Sequence, residues 1–224
     1  MKILASQPKL VVQVRDAILD EISSGALAPG DRIIQEQIAQ ALGVSRQPVQ
    51  QALALLRNQG MLQDAPGRGL LVAPLDPGQV QHMYDIRAVI EGLAARRAAE
   101  LGAERAAKAG PALIEAGRKA VAAGSVARMI AADIKFHDFL YGLSGNPLIA
   151  PALETHLTYT QRVMGEVLIR DEKPHDIWDQ HEAILKAVAQ GDGERAEALV
   201  RSHLTQASGF VVTRLRGKQT QSGD

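Results

Sequence analysis

Residues 35–60 read QEQIAQALGVSRQPVQQALALLRNQG, and the order of signals in this stretch decides the fold. Gln35 to Leu42 reads as a short helix with Ile38, Ala39 and Leu42 on one face. Gly43 breaks it. Ser45 stands at the cap position of a second helix, Arg46 to about Asn58, with Val49, Leu53 and Leu56 turned inward. Pro48 is tolerated there because first-turn amides have no helical acceptor. Gly60 ends the helix. Two short helices joined by a glycine turn are how a recognition helix is laid into the major groove of DNA.

Upstream, Leu10, Val11, Val14, Ile18 and Ile22 recur at helical spacing and predict a helix over 9–24. Ala28-Pro29-Gly30-Asp31 is a turn. Downstream, residues 61–63 and 70–72 read as short strands around the hairpin turn Pro66-Gly67-Arg68-Gly69. The order helix, helix, turn, helix, two-stranded wing predicts a winged helix-turn-helix over 1–73. Pro74, Pro77 and Gly78 mark a linker at 74–78. Beyond it the pattern is helical, with helices expected at 79–101, 104–123, 125–143, 147–169, 175–190 and 192–215. The expected breaks are Gly102, Gly124-Ser125, Ser144 to Pro147, Lys173-Pro174 and Gly191 to Gly193. The second domain is placed at 79–217, with a frayed tail over 218–224.

Composition bounds the function classes. With 46% hydrophobic and 22% charged residues, the 224-residue chain has material for packed cores and is not a disordered tail. The absence of Cys excludes disulfides and thiolate metal sites and fits a reducing compartment. No run of about 18 apolar residues occurs, so the expectation is a cytoplasmic protein that does not cross a membrane. Net charge is zero, which requires any nucleic-acid contact to rest on a local basic face.

The candidates for that contact are Arg46, Gln47 and Gln50 in the first turn of the second helix, Ser45 before it, Arg68 at the hairpin tip, and Arg32. The segments Leu27 to Arg32, Leu42 to Val49, and Gly67-Arg68-Gly69 with Val72 resemble the winged helix-turn-helix of the GntR family, over almost all of residues 8–73. The resemblance implies double-stranded DNA as partner. That family usually carries Thr, Arg and Glu where this chain has Gln47, Gln50 and Gln51, and its Arg normally contacts DNA. Gln50 can bond adenine in bidentate fashion but carries no charge, so weaker phosphate attraction and an altered site preference are expected.

In the second half, Asp133 and His137 are four residues apart on one expected helix and share a face. His181 falls on a later helix and His203 on the last. One carboxylate and three imidazoles suit Zn²⁺, or Ni²⁺, Mn²⁺ or Fe²⁺ where open positions remain. Singly, each residue has a plainer reading as a hydrogen-bonded or solvated side chain, and His82, His156 and His175 are given no role. Asp133 to His137, Ser144 to Leu148, His181 to Ile184 with Gly191-Asp192, and His203-Leu204 together resemble the FCD domain of FadR-type GntR regulators. Arg87 with Glu91 fits that domain's first helix.

That resemblance spans about 79–215. It implies a mainly α protein in which the winged head is followed by an antiparallel all-α helical bundle. It also implies a divalent metal held by Asp133, His137, His181 and His203, a small organic acid as effector, and a homodimer on a palindromic operator. A carboxylate effector needs cations, and Arg87 and Arg162 are the candidates. Arg87 has a competing reading as the partner of Glu91 one turn along. Two other functions stay open at this point: a metal-dependent hydrolase or lyase using the same Asp and His residues, and a helical interaction protein whose histidines are structural.

Overall fold

The computed structural model describes residues 8–168 and 177–221. His175 and the Lys173-Pro174 break lie outside them. The chain divides between Leu75 and Asp76 into two compact units.

The first unit runs α1 (Pro8–Ser24), β1 (Arg32–Ile33), α2 (Gln35–Leu42), α3 (Arg46–Asn58), β2 (Leu62–Asp64) and β3 (Leu70–Val72). α1 packs on α3, burying Val14, Ile18 and Ile22 with Val49, Ala52, Leu53 and Leu56. Each of the buried Val, Leu and Ile side chains contributes about 1.5–3 kcal/mol by leaving water. Between α2 and α3 the chain turns at Gly43, whose φ of 65° is left-handed and open to glycine without strain. Ser45 occupies the N-cap position of α3, but its side chain makes no capping bond.

The wing contains a strand beyond the two expected ones. β1 joins β3 antiparallel, with Arg32 opposite Leu71, and the sheet order is β1-β3-β2. A two-residue strand has no periodicity to read, so the turn at Ala28 to Asp31 was its only sequence trace. β2 begins at Leu62, one residue later than expected.

The second unit is all helical among the described residues: α4 (Pro77–Ala122), α5 (Val126–Leu143), α6 (Ile149–Leu168), α7 (Ile177–Ala189) and α8 (Gly193–Gln221). α4 is one continuous helix of 46 residues against which the other four pack, where the sequence predicted two helices broken at Gly102. Gly102 is a contact point rather than a stop. A Cβ there would lie 2.9 Å from Leu143 Cβ, so the missing side chain lets α5 approach. Gly110 and Gly117 likewise lie under Leu185 and Trp178 of α7. Pro77 and Gly78, read as linker, open α4. Asp76 accepts the Gly78 amide at 2.9 Å and Pro77 needs no acceptor, a combination that starts a helix. At the other end α8 runs to Gln221, through residues read as tail.

Candidate metal centre and nucleic-acid interface

In the head, Arg32, Ser45, Arg46, Gln47, Gln50 and Arg68 are all exposed. Arg46, Gln47 and Gln50 share the first turn and a half of α3, and Ser45 stands at its N-cap. The Gln35 side-chain amide donates to the Arg46 carbonyl at 2.9 Å and ties the starts of α2 and α3 together. The Arg46 guanidinium is bonded to Glu36. Arg32 donates to the Arg68 carbonyl and so braces the wing turn from β1, leaving the Arg68 side chain at the tip. Arg57 pairs with Asp64 at 3.3 Å.

In the helical unit, Asp133 and His137 of α5, His181 of α7 and His203 of α8 converge. His181 Nε2 lies 3.3 Å from His203 Nε2 and 3.6 Å from Asp133 Oδ1. His137 Nε2 lies 3.9 Å from that same oxygen. All four side chains are buried. Donor bonds of about 2.0–2.2 Å to a common ion place neighbouring donors roughly 3–3.5 Å apart, close to these spacings. The three imidazoles qualify by themselves as a metal-ligating group.

The outer nitrogens of two rings show which way each faces. His137 Nδ1 lies 2.7 Å from Glu91 Oε2, a carboxylate that can only accept. His203 Nδ1 lies 2.7 Å from Gln180 Oε1. That amide is oriented in turn: Gln180 donates to Gln206 Oε1 at 3.1 Å, and Gln206 donates to Ser202 Oγ at 3.0 Å. His203 donates from Nδ1 to the Gln180 amide, which leaves its Nε2 lone pair to face the centre, and His137 turns Nδ1 to the Glu91 carboxylate and Nε2 towards Asp133, the orientation that metal-binding histidines use. His181 is set by packing instead. Phe136 stacks on it with centroids 4.3 Å apart, and Trp178 meets it edge-on at 4.7 Å.

Protonation divides the site. Burial, then repulsion from His203 and His137, holds His181 well below the ordinary imidazole range. Burial and the His137 charge push His203 down to about 3. His137 goes the other way: burial opposes its charge, but Glu91 and then Asp133 outweigh burial. Burial raises Asp133, with His137 and Arg87 pulling against it. Two histidines that stay neutral beside a carboxylate are ready-made metal donors, since ligation requires the unprotonated imidazole. The donor set therefore fits a divalent ion.

Arg87 realises the competing reading named above. Its Nε donates to Glu91 Oε1 at 2.6 Å and its Nη1 to Thr160 Oγ1 at 3.1 Å. Glu91 is thus shared by Arg87 and His137. Burial opposes its charge, but Arg87 and then His137 hold it well below the usual carboxylate range. Arg162 is buried on α6, two residues after Thr160. Sequence reasoning missed Glu91 as the partner of His137, although its spacing to Arg87 had singled it out. Gln180 carried no signal at all, since it meets His203 only through the packing of α7 on α8.

The profile described as the FCD domain matches residues 82–206, more than half of the chain, and that of bacterial regulatory proteins of the gntR family matches residues 10–72. The chain belongs to the GntR family and carries an FCD domain. It is 30% identical over 179 residues, 80% of its length and 75% of the relative's, to an uncharacterized HTH-type transcriptional regulator in an unstable DNA locus of Streptomyces ambofaciens. It is 28% identical over 185 residues to the HTH-type transcriptional repressor RspR of Escherichia coli K12, covering 83% of this chain and 81% of that one. The solved structure of E. coli McbR/YncC shares the fold, with a TM-score of 0.79 at 22% identity over 94% of this chain and 99% of that one. This GntR protein is accordingly a transcriptional regulator with a DNA-binding helix-turn-helix and an FCD domain. The hydrolase or lyase reading falls, because the family consists of regulators and not enzymes.

Proposed function

We propose that this regulator senses a small organic acid in its FCD domain, at a divalent metal held by Asp133, His137, His181 and His203, and that the acid alters its hold on an operator. The observation that carries the reading is the convergence of Asp133 Oδ1 with three imidazoles, two of them held Nε2-inward by Glu91 and Gln180. A bound ion, Zn²⁺ or else Ni²⁺, Mn²⁺ or Fe²⁺, supplies a Lewis-acidic point for one carboxylate oxygen. The chain supplies the rest. Arg162 and the donors of Arg87 beyond those given to Glu91 and Thr160 meet the remaining acid oxygen. Asp76 opens α4, so the head connects directly to the helix that carries Arg87 and Glu91. An acid that binds two arrangements of that helix unequally shifts their balance, whereas one that binds both equally shifts nothing.

On the DNA side, Arg46, Gln47 and Gln50 read base edges. Arg32, Ser45 and Arg68 hold the backbone. The protein acts as a homodimer on a palindromic operator, in the cytoplasm where the chromosome lies. Ile86, Val89 and Leu93 support a dimer: they form an exposed apolar stripe at helical spacing on α4. No described helix is long and apolar enough to cross a membrane.

The test is metal analysis of the purified full chain, followed by thermal melting of the metal-loaded protein against a panel of organic acids. About one equivalent of metal and a rise in melting temperature with at least one acid are expected, because a ligand of the native state stabilises by mass action. Metal-free protein that regains no ion on incubation with Zn²⁺, Ni²⁺, Mn²⁺ or Fe²⁺ would overturn the sensing site.

A further inference from the structure

The charge of the head is finely balanced. Residues 8–75 hold six Lys or Arg and six Asp or Glu. Along the exposed start of α3, Arg46, Gln47, Gln50 and Gln51 face solvent, and Arg46 is the single charge among them. That charge is not left open. Glu36, in the first turn of α2, bonds the Arg46 guanidinium. The side chains are 71% and 67% exposed, so the pair sits on the surface and not in the core. Gln35 fixes the same junction from the other side by donating to the Arg46 carbonyl at 2.9 Å. A carboxylate is therefore held at the edge of the helix whose start meets DNA, on the one cation that would attract phosphate there.

We propose that Glu36 is a specificity determinant of the DNA-reading head: it neutralises Arg46 against arbitrary duplex and releases it only to a base-specific acceptor. Non-specific affinity comes from cations displacing the counterions of phosphate. An arginine already paired with a carboxylate displaces none, and Glu36 itself repels the backbone. A guanine at the right step offers O6 and N7 in the geometry that takes a guanidinium fork. That exchange compensates for the lost Glu36 bond where a single diffuse phosphate contact does not. Discrimination is thus raised by penalising the wrong sites as well as by favouring the right one. The inference rests on α3 entering the major groove.

The experiment uses the full chain and two duplexes: an operator selected from random sequence by the wild type, and an unrelated duplex of equal length. Affinity is read by fluorescence anisotropy from 50 to 200 mM salt. Glu36→Gln is expected to bind the unrelated duplex roughly 5- to 20-fold tighter, with the slope of log affinity against log salt steeper by about one, since one more cation is free for phosphate. The operator-to-unrelated ratio is expected to fall. In an Arg46→Gln background the slope change from Glu36→Gln is expected to vanish. Unchanged affinity for the unrelated duplex, or a slope change that persists without Arg46, overturns the proposal. Wild-type protein that selects no operator would instead overturn the placement of α3 in the groove, and the proposal with it.

Discussion

Glu91 faces two buried partners, Arg87 and His137, and the consequence of changing it can be worked from the structure. Its Oε1 takes Arg87 Nε at 2.6 Å and its Oε2 lies 2.7 Å from His137 Nδ1, with both partners buried. Glu91→Gln keeps the shape but removes the carboxylate charge that Arg87 and His137 share and points an NH₂ group at one of them. It also leaves the Arg87 guanidinium without its buried counter-charge. Breaking a buried pair from one side costs about 3–5 kcal/mol. That is a large part of the roughly 5–15 kcal/mol that stabilises a domain. For a unit of this size each kcal/mol moves the melting temperature by about 2–4 °C. A fall of about 10 °C is therefore expected for metal-free Glu91→Gln. Trp178, the sole tryptophan, is buried beside His181 and reports unfolding of the helical unit by fluorescence. Arg87→Met with Glu91→Leu is expected to recover part of the loss, because the Arg87 charge leaves together with its partner, while His137 loses its carboxylate and stays a neutral ring. A loss under about 1 kcal/mol for Glu91→Gln, or a double variant as unstable as the single, would refute the reasoning.

Three further outcomes are expected. Metal-free protein should lose stability between pH 6.5 and 5, because His181 and His203 resist protonation when folded and accept it when unfolded. His203, held at about 3, contributes about 2 kcal/mol of that loss at pH 5; His137, raised by Glu91 and Asp133, gains most of its stabilisation already above pH 6.5, and Asp133, raised by burial, works against the loss below its own folded value. A urea titration at each pH reads the trend, and flat or rising stability on acidification would count against neutral histidines. Gly117→Ala should destabilise by at least about 1–3 kcal/mol despite a helix-propensity gain of about 1 kcal/mol. The added Cβ would stand 2.0 Å from Trp178 Cζ2, on a ring already packed against Phe136 and His181, and thermal melting decides the sign. Gln50→Arg should add about one to the salt slope of operator binding, read by anisotropy, and an unchanged slope would show that position 50 does not approach phosphate.

Much of the fold was written in local signals. Gly43, Gly60 and the hairpin glycines stand where the chain must turn, and Val49, Leu53 and Leu56 alternate at helical spacing, so the head was legible almost residue by residue. What escaped there was β1, whose two residues are a strand only because β3 lies beside them. In the helical unit the same rule misled. Gly102 is a stop by local propensity, yet the approach of Leu143 makes it a contact within α4. The histidine site was legible through its residue types and its likeness to the family. Its supports were less so. The spacing of Arg87 and Glu91 fits an ion pair one turn along the helix as well as it fits an effector cation, and only the packing of α4 shows the pair buried. Nothing local announces that His203 points its outer nitrogen at Gln180, because that contact exists only once α7 has docked on α8.

The central claim is that an acid bound at the Asp133, His137, His181 and His203 site changes operator binding. It is tested most directly by measuring operator affinity of the metal-loaded full chain with and without an acid that raises its melting temperature. The expected result is a change of about 5-fold or more, the usual range for coupling between two sites, that disappears when the metal is stripped or His181 is replaced by Ala. Equal affinity with and without the acid, or a change that survives loss of the metal, would contradict it.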